Sequence, residues 1–174
     1  MEIRRITKEN AADLNLKNEP FTMPGLFIPE LKDGIWSYRT EPFETVETMV
    51  FPDENYDFDE ISAKGPIFGA YENGKCIGVA IYQEHWLKYM YLYDLKTDSA
   101  ARGKGVGKAL IHEGLAEAME RGYMGLYTQA QDNNLNACMF YLKVGFQIGG
   151  FDNRVYGGTS QAGKADVIFY LDGK

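Results

Sequence analysis

The sequence predicts a mixed α/β domain, and three stretches carry that expectation. PIFGAYENGKCIGVAIYQEHW, Pro66 to Trp86, is two short apolar runs joined by Glu72-Asn73-Gly74-Lys75. Asn-Gly between such runs is the strongest short-range hairpin signal. In DSAARGKGVGKALIHEGL, Asp98 to Leu115, alternating glycines lead into an apolar stripe. Gly107, Leu110, Ile111, Gly114, Leu115 and Ala118 recur at helical spacing, which predicts one buried face. FQIGGF and ADVIFYL close the chain as two further strands.

The remaining elements follow in order. MEIRRI, with apolar Ile3 and Ile6, reads as a short edge strand. Thr7 reads as an N-cap, with Asn10 in the first turn of a helix running to about Leu16. Residues 17–65 hold five of the six prolines and scattered aromatics, and they resist assignment. A helical piece from about Glu41 to Val50 is expected there, with Pro42 at its first position. KYMYLYDLKT, Lys88 to Thr97, is a strand, and the helix after the glycine loop should end near Arg121-Gly122. YMGLYTQA, Tyr123 to Ala130, is a further strand. Asp132 or Asn133 should cap a second helix that runs to about Val144 and stops at Gly145. No domain boundary shows, so residues 1–174 read as a single domain.

Composition narrows the class. A chain of 174 residues with 45% hydrophobic and 25% charged residues is long and apolar enough to bury a core. MEIRRITKEN lacks the apolar region of a signal peptide, and no run approaches the roughly 18 apolar residues of a membrane span. A cytoplasmic location is expected, with no membrane partner. Cys76 and Cys138 lie in apolar segments and read as reduced core thiols. His85 and His112 have no paired ligand spacing, so no metal is expected. The net charge of −7 argues against nucleic acid, whose phosphates need a basic surface, and permits a cationic partner.

The glycine loop is where chemistry first shows. Backbone N–H groups opening a helix form an anion site, because they lack intrahelical partners and the helix dipole adds positive potential. Glycine permits positive φ and close approach. A dinucleotide fingerprint fails here, since its third glycine would fall on Lys108 or Leu110. A P-loop fails too, with Arg102 at its first glycine and Ala109 at its Ser or Thr. What remains is R-x-x-G-x-G, as Arg102, Gly105 and Gly107, directly after a strand. The same pattern also suits a tight strand-to-helix turn with exposed Lys and Arg.

This loop resembles the acetyl-CoA loop of the GNAT superfamily of N-acetyltransferases. The resemblance implies a GNAT fold, a central mixed and mostly antiparallel β-sheet flanked by helices. It implies acetyl-CoA as cosubstrate, its pyrophosphate held by Arg102, Gly103, Lys104, Gly105, Val106, Gly107 and Lys108. NLNACMFYLKVGF supplies a second match, to the family's N-x-x-A-x-x-x-Y and following Gly-Phe. Asn134, Ala137 and Tyr141 share one helical face, followed by Gly145-Phe146. Asn134 and Ala137 are thereby implied to lie along the cofactor, and Tyr141 to serve as general acid toward the coenzyme sulfur. The general match covers about residues 65–146.

The resemblance implies that the strand before the loop pairs its backbone at Leu95, Lys96 and Thr97 with the pantetheine arm. Asp94 points to the face opposite Leu95 and is a candidate general base or ammonium-binding carboxylate. Glu84, at the end of the preceding strand, is a second candidate. A base is needed because a lysine-like ammonium, of pKa about 10.4, cannot attack until it loses a proton.

The acceptor amine is less directly written. Residues 36–60 carry eight acidic residues and Arg39 alone as a cation, interleaved with Trp36, Tyr38, Phe43, Phe51, Tyr56 and Phe58. Such a segment attracts a polycation, and it also suits a solvated loop face. TQAQDNNLNACMFYLKVGFQIGGFDNRVY, Thr128 to Tyr156, is similar to the matching segment of the streptothricin acetyltransferases. That implies an acceptor amine on the β-lysine moiety of streptothricin, and antibiotic resistance as the outcome. The joint LKTDSAARGKG departs from the relatives. Thr97 and Ser99 stand where an aliphatic residue and a proline are common, and Lys96 replaces a small or apolar one. Lys96 either alters the cofactor channel or faces solvent. The alternatives are acetylation of another polyamine, an aminoglycoside-like amine or a peptide N-terminus, or a non-catalytic coenzyme-A-binding domain. Members of the superfamily are often dimers, so a homodimer is expected among the assemblies, although no surface in the sequence identifies an interface.

Overall fold

A computed structural model describes residues 1–173. In chain order it has β1 (Glu2–Arg5), β2 (Phe21–Lys32), β3 (Ile35–Met49), α1 (Phe58–Ser62), β4 (Ile67–Glu72), β5 (Lys75–Gln83) and β6 (Tyr89–Thr97). Then follow α2 (Val106–Glu120), β7 (Gly125–Gln131), α3 (Leu135–Val144), β8 (Gln147–Asp152) and β9 (Asp166–Asp172). Two compact units result. The first holds residues 1–19, 50–126 and the C-terminal residues from 172; the second holds residues 20–49 and 127–171.

In the first unit the strands run β1-β4-β5-β6, antiparallel at each step. The β4–β5 hairpin turns on Asn73 at φ 51 and Gly74 at φ 79, the left-handed pair that Asn-Gly predicts. The β5–β6 register shifts between Ile81 and Tyr82, opposite Asp94 and Leu92, so Tyr93 is an extra residue on β6. The N-terminal helix begins after Thr7 as expected, but Lys8–Asn15 is a 3₁₀ helix broken at Asn10. Asn10 is pulled two ways. Its Oδ1 accepts from the Thr7 N–H at 2.8 Å, and its Nδ2 donates to the Tyr71 hydroxyl at 2.6 Å.

Helix α2 packs on β4, β5 and β6. Its stripe is buried at Val106, Gly107, Leu110, Ile111, Gly114 and Ala118. Two glycines set the distance. A Cβ on Gly78 of β5 would lie 2.7 Å from Val106 Cγ1, and one on Gly114 would overlap the Tyr82 ring. The Tyr82 hydroxyl crosses the helix to donate to the Leu110 carbonyl at 3.0 Å.

In the second unit residues 35–49 form a strand, where a helix was expected over about 41–50. β2 and β3 make a long antiparallel ribbon that turns on Asp33 at φ 52 and Gly34 at φ 78. Thr45, Val46 and Thr48 are β-branched and favour extended backbone. Pro42 sits opposite Gly25, where the register jumps and a missing N–H costs the ladder little. The other strands of this unit run β7-β9-β8, with α3 packed on β2 and β8. Gly145, at φ 118, ends α3 as expected. The N-cap is Asn134, whose side chain accepts from the Ala137 N–H at 3.2 Å, and not Asp132 or Asn133. Asp132 is engaged elsewhere, its Oδ1 accepting from the Ala165 N–H at 3.2 Å.

Cys76 and Cys138 are free and buried, and burial pushes the Cys138 thiol up to about 12. Among the described residues no helix is long and apolar enough to cross a membrane.

The Gly114–Tyr82 contact generates a stability prediction. Gly114→Ala should gain about 1 kcal/mol of helix propensity yet lose about 1–3 kcal/mol to overpacking, because Tyr82 is fully buried. The expected result is a lower urea or thermal midpoint. A raised midpoint would show that the ring yields.

Candidate active site

The glycine loop is anchored at its entrance and open above. The Asp98 N–H donates to the Ile77 carbonyl at 2.9 Å, and the Asp98 carboxylate accepts from Lys75 at 2.8 Å and from the Ala100 N–H at 3.0 Å. The Lys75 ammonium is the main cause that holds the Asp98 carboxyl below its usual range. The chain then passes through Gly103 at φ 75 and Gly105 at φ 83, conformations that favour glycine. No heavy atom lies within 4 Å of a Cβ built at either. Glycine is required there for its backbone angle, with open space over the loop. The Ala109 N–H bonds to the Gly105 carbonyl at 2.9 Å, so the N–H groups of Val106, Gly107 and Lys108 lie at the α2 start without i−4 partners. Arg102, Lys104 and Lys108 are exposed. Donors, dipole and three cations together make an anion cradle.

A charged cluster lies on the strand that feeds this loop. Leu92, Leu95 and Thr97 pair with Tyr82, Ala80 and Gly78, while Asp94 and Lys96 pair with Ile81 and Val79. Asp94 is thus on the face opposite Leu95, as expected. The Tyr56 hydroxyl donates to Asp94 Oδ2 at 3.1 Å, and Lys96 Nζ lies 3.4 Å from the same oxygen. Lys96 also forms an ion pair and hydrogen bond with Glu54, and its Nζ sits 5.3 Å from the Tyr56 ring centroid. Burial raises the Asp94 carboxyl above its ordinary range, opposed by the Lys96 charge and helped by that of Glu54. Burial also pushes Glu54 up, but hydrogen bonds from Lys96 and Asn18 more than offset it and leave it lowered. Tyr56 is raised by burial and then by the Asp94 and Glu54 charges.

The solvent-facing alternative for Lys96 is overturned, since its side chain is 8% exposed. Its ammonium is committed to two carboxylates, which leaves its backbone as what it can offer a cofactor. Glu84 has a different environment. It is exposed and ion-paired with Arg121, which bonds Glu117 at 2.6 Å, itself paired with Arg5 at 2.6 Å. That network ties β1 and β5 to the end of α2.

Tyr141 belongs to the second unit, on α3, 8% exposed. Its ring lies 5.3 Å from Phe146 and 5.6 Å from Phe169, which fixes its rotamer by packing. Asn134 spends its Oδ1 on the helix cap, and Nδ2 is the donor it can offer. Gly149 gives way to the Tyr170 ring, Asp152 accepts from the N–H groups of Arg154 and Val155, and Tyr156 donates to Asp166 at 2.7 Å. These positions of the C-terminal series therefore hold the loop between β8 and β9.

Sequence reasoning took Glu54 and Tyr56 only as part of an acidic, aromatic run. A signal was available. A lysine in a strand as apolar as YMYLYDLKT needs a carboxylate partner from elsewhere, because a buried ammonium is costly alone. Among the described residues no group of three or more His, Cys, Asp or Glu is placed to hold a metal ion.

A strand leading through a left-handed glycine turn into a docked helix, with a half-buried carboxylate on that strand, is an arrangement that can hold an anion beside a base. Comparison with known proteins agrees. The Acetyltransferase (GNAT) family model matches residues 29–146, ending at Phe146 as expected and starting upstream of residue 65. Streptothricin acetyltransferase A of Bacillus subtilis (strain 168) is 32% identical over 97% of this chain and 98% of its own. A crystal structure from Bacillus anthracis str. Ames, of a protein assigned as a streptothricin acetyltransferase in complex with acetyl coenzyme A, is 26% identical. It covers 99% of both chains with a TM-score of 0.88. A nourseothricin acetyltransferase structure, 24% identical, covers 98% of this chain and 97% of its own with a TM-score of 0.80, and it supports the fold. The chain belongs to the GNAT acetyltransferase family, an α+β fold with a mixed, mostly antiparallel sheet flanked by helices.

The capping role of Asn134 is testable apart from catalysis. Asn134→Ala should cost about 0.5–2 kcal/mol of stability, and Asn134→Asp should retain most of it. Urea unfolding of both variants checks this, and equal losses would overturn the cap assignment.

Proposed function

We propose that this chain transfers acetyl from acetyl-CoA to a β-lysine amino group of streptothricin and so inactivates it. The observation that carries the reading is the anion cradle at residues 102–108 in a chain similar along nearly its whole length to streptothricin acetyltransferase A. Acetylation converts an ammonium into a neutral amide, which removes a charge the antibiotic needs.

The residues fit the cosubstrate. Space over Gly103 and Gly105 is open, and the donors at the α2 start suit a pyrophosphate. In this reading Arg102, Gly103, Lys104, Gly105, Val106, Gly107 and Lys108 hold the phosphates. The backbone of Leu95, Lys96 and Thr97 orients the pantetheine, and Asn134 and Ala137 contact it from α3. When bound, acetyl-CoA supplies an activated acetyl thioester. Asp94 takes a proton from the acceptor ammonium, its Oδ2 held by Tyr56 and Lys96. The Tyr141 hydroxyl donates a proton toward the departing sulfur, a thiol of reference pKa about 8.5. Glu84 is left out of the chemistry, because Arg121 holds its carboxylate.

Mass spectrometry of streptothricin incubated with the protein and acetyl-CoA tests the acceptor. One added acetyl group with equimolar thiol release is expected. An unmodified antibiotic, with acetyl-CoA still bound, would discard the substrate and keep the cofactor. Tyr141→Phe should lower kcat about 10²–10⁴-fold with coenzyme binding intact. Asp94→Asn should lower kcat/KM and abolish the acid limb of its pH profile. Because the base must be ionised and its pKa is raised, activity should climb with pH over a range above the ordinary aspartate value.

A further inference from the structure

The structure gives Lys96 surroundings that acetyl transfer as described does not use. We propose that Lys96 and Glu54 are positioning residues for Asp94: Lys96 holds its carboxylate aimed and ionised for the acceptor amine, and Glu54 holds Lys96 in place. This rests on the assignment of Asp94 as the base.

The geometry carries the argument. Lys96 follows Asp94 by two residues on one strand face, so the ammonium and carboxylate leave the backbone in the same direction. Lys96 Nζ is 3.4 Å from Asp94 Oδ2, close enough to stabilise the anion and fix its rotamer. Glu54 takes the ammonium from the other side as ion pair and hydrogen-bond acceptor. That second carboxylate holds Lys96 in place and shares its charge, so Asp94 is only partly neutralised. The Tyr56 hydroxyl completes the set by donating to the same Asp94 oxygen at 3.1 Å. The side chains of Lys96, Asp94 and Glu54 are 8%, 20% and 31% exposed, so solvent screens these contacts weakly.

The two partners push the Asp94 carboxyl in opposite directions. The groups that face it are Lys96 on its own strand, with Glu54 and Tyr56 from the segment before α1. β5 presents Ile81, which does not titrate, in the paired position. Removing Lys96 takes away the stabilising cation and should raise the Asp94 pKa. Removing the Glu54 charge takes away a repulsion and gives Asp94 a larger share of Lys96, which should lower it. A merely structural role predicts no such opposition.

The experiment is the pH profile of kcat/KM for the purified full chain with acetyl-CoA and the acceptor, for Lys96→Met, Glu54→Gln and Asp94→Asn. Lys96→Met should move the acid limb upward by about one unit or more, a tenfold loss at pH values below it. Glu54→Gln should move the limb downward. Where Lys96→Met fails to fold, as a broken buried pair can cause, the Glu54→Gln profile decides alone. If the limb vanishes in Asp94→Asn yet stays in place in the foldable variants, the base stands and the positioning role is overturned. If Asp94→Asn keeps both its rate and its limb, the base assignment fails, and this proposal with it.

Discussion

The approach of α2 to β5 is the contact on which the first unit depends. Val106 presses into the space left by Gly78, and eight residues later Gly114 admits the Tyr82 ring. Two fixed points about 12 Å apart along a helix define its axis. The Tyr82 hydroxyl on the Leu110 carbonyl lies between them. Val106 is also the first residue of α2, so the packing that seats the helix sets the aim of its unpaired N–H groups. Interiors this dense transmit small shifts. The backbone amides at the start of α2 take their aim from this docking, whereas the exposed Arg102, Lys104 and Lys108 side chains can adjust.

Charge in this acidic chain is largely committed to structure. Within residues 36–60, Glu41 pairs with Arg39, Asp53 accepts from the Asn18 N–H, Glu54 holds Lys96, Asp57 caps α1 and Asp59 pairs with Lys8. The run is also divided, residues 36–49 belonging to the second unit and residues 50–60 to the first. Composition alone does not show which of these carboxylates are already engaged within the fold. Exposed pairs such as Lys8–Asp59 contribute little to stability, about 0–1 kcal/mol. The Glu54–Lys96 pair differs in being sheltered, and losing Lys96 leaves Glu54 and Asp94 together without their cation.

Legibility in the sequence followed the range of the interactions. The Asn73-Gly74 hairpin, the loop with α2, and the Gly145 stop are set by residues within a turn of each other, and the pattern exposed them. The β2–β3 ribbon was hidden although Asp33-Gly34 is itself a hairpin pair, because Pro24, Pro29 and Pro42 lie within its strands and left the segment unassigned. The ribbon tolerates Pro42 at a register jump that no local rule foretells. The N-cap fell on Asn134 because Asp132 is drawn to Ala165, a partner 33 residues away. Lys96 in an apolar strand signals that a partner is needed, but which residues supply it was hidden for the same reason. Tyr56 and Glu54 are 38 and 42 residues from their partners.

The extra residue at Tyr93 explains how a single strand serves a hydrophobic face and a charged one. Side chains alternate along β6, and without a bulge Leu92, Asp94 and Lys96 would all point toward α2. Two charges would then be pressed against its apolar stripe. The bulge shifts the alternation by one, so Leu95 and Thr97 continue the α2-facing row opposite Ala80 and Gly78. Asp94 and Lys96 pass to the opposite face, beside Ile81 and Val79, where Tyr56 also packs. Tyr93 is left 42% exposed. The irregularity that costs a ladder bond is thus what lets a half-buried carboxylate and its buried lysine sit on the strand that runs into the glycine loop.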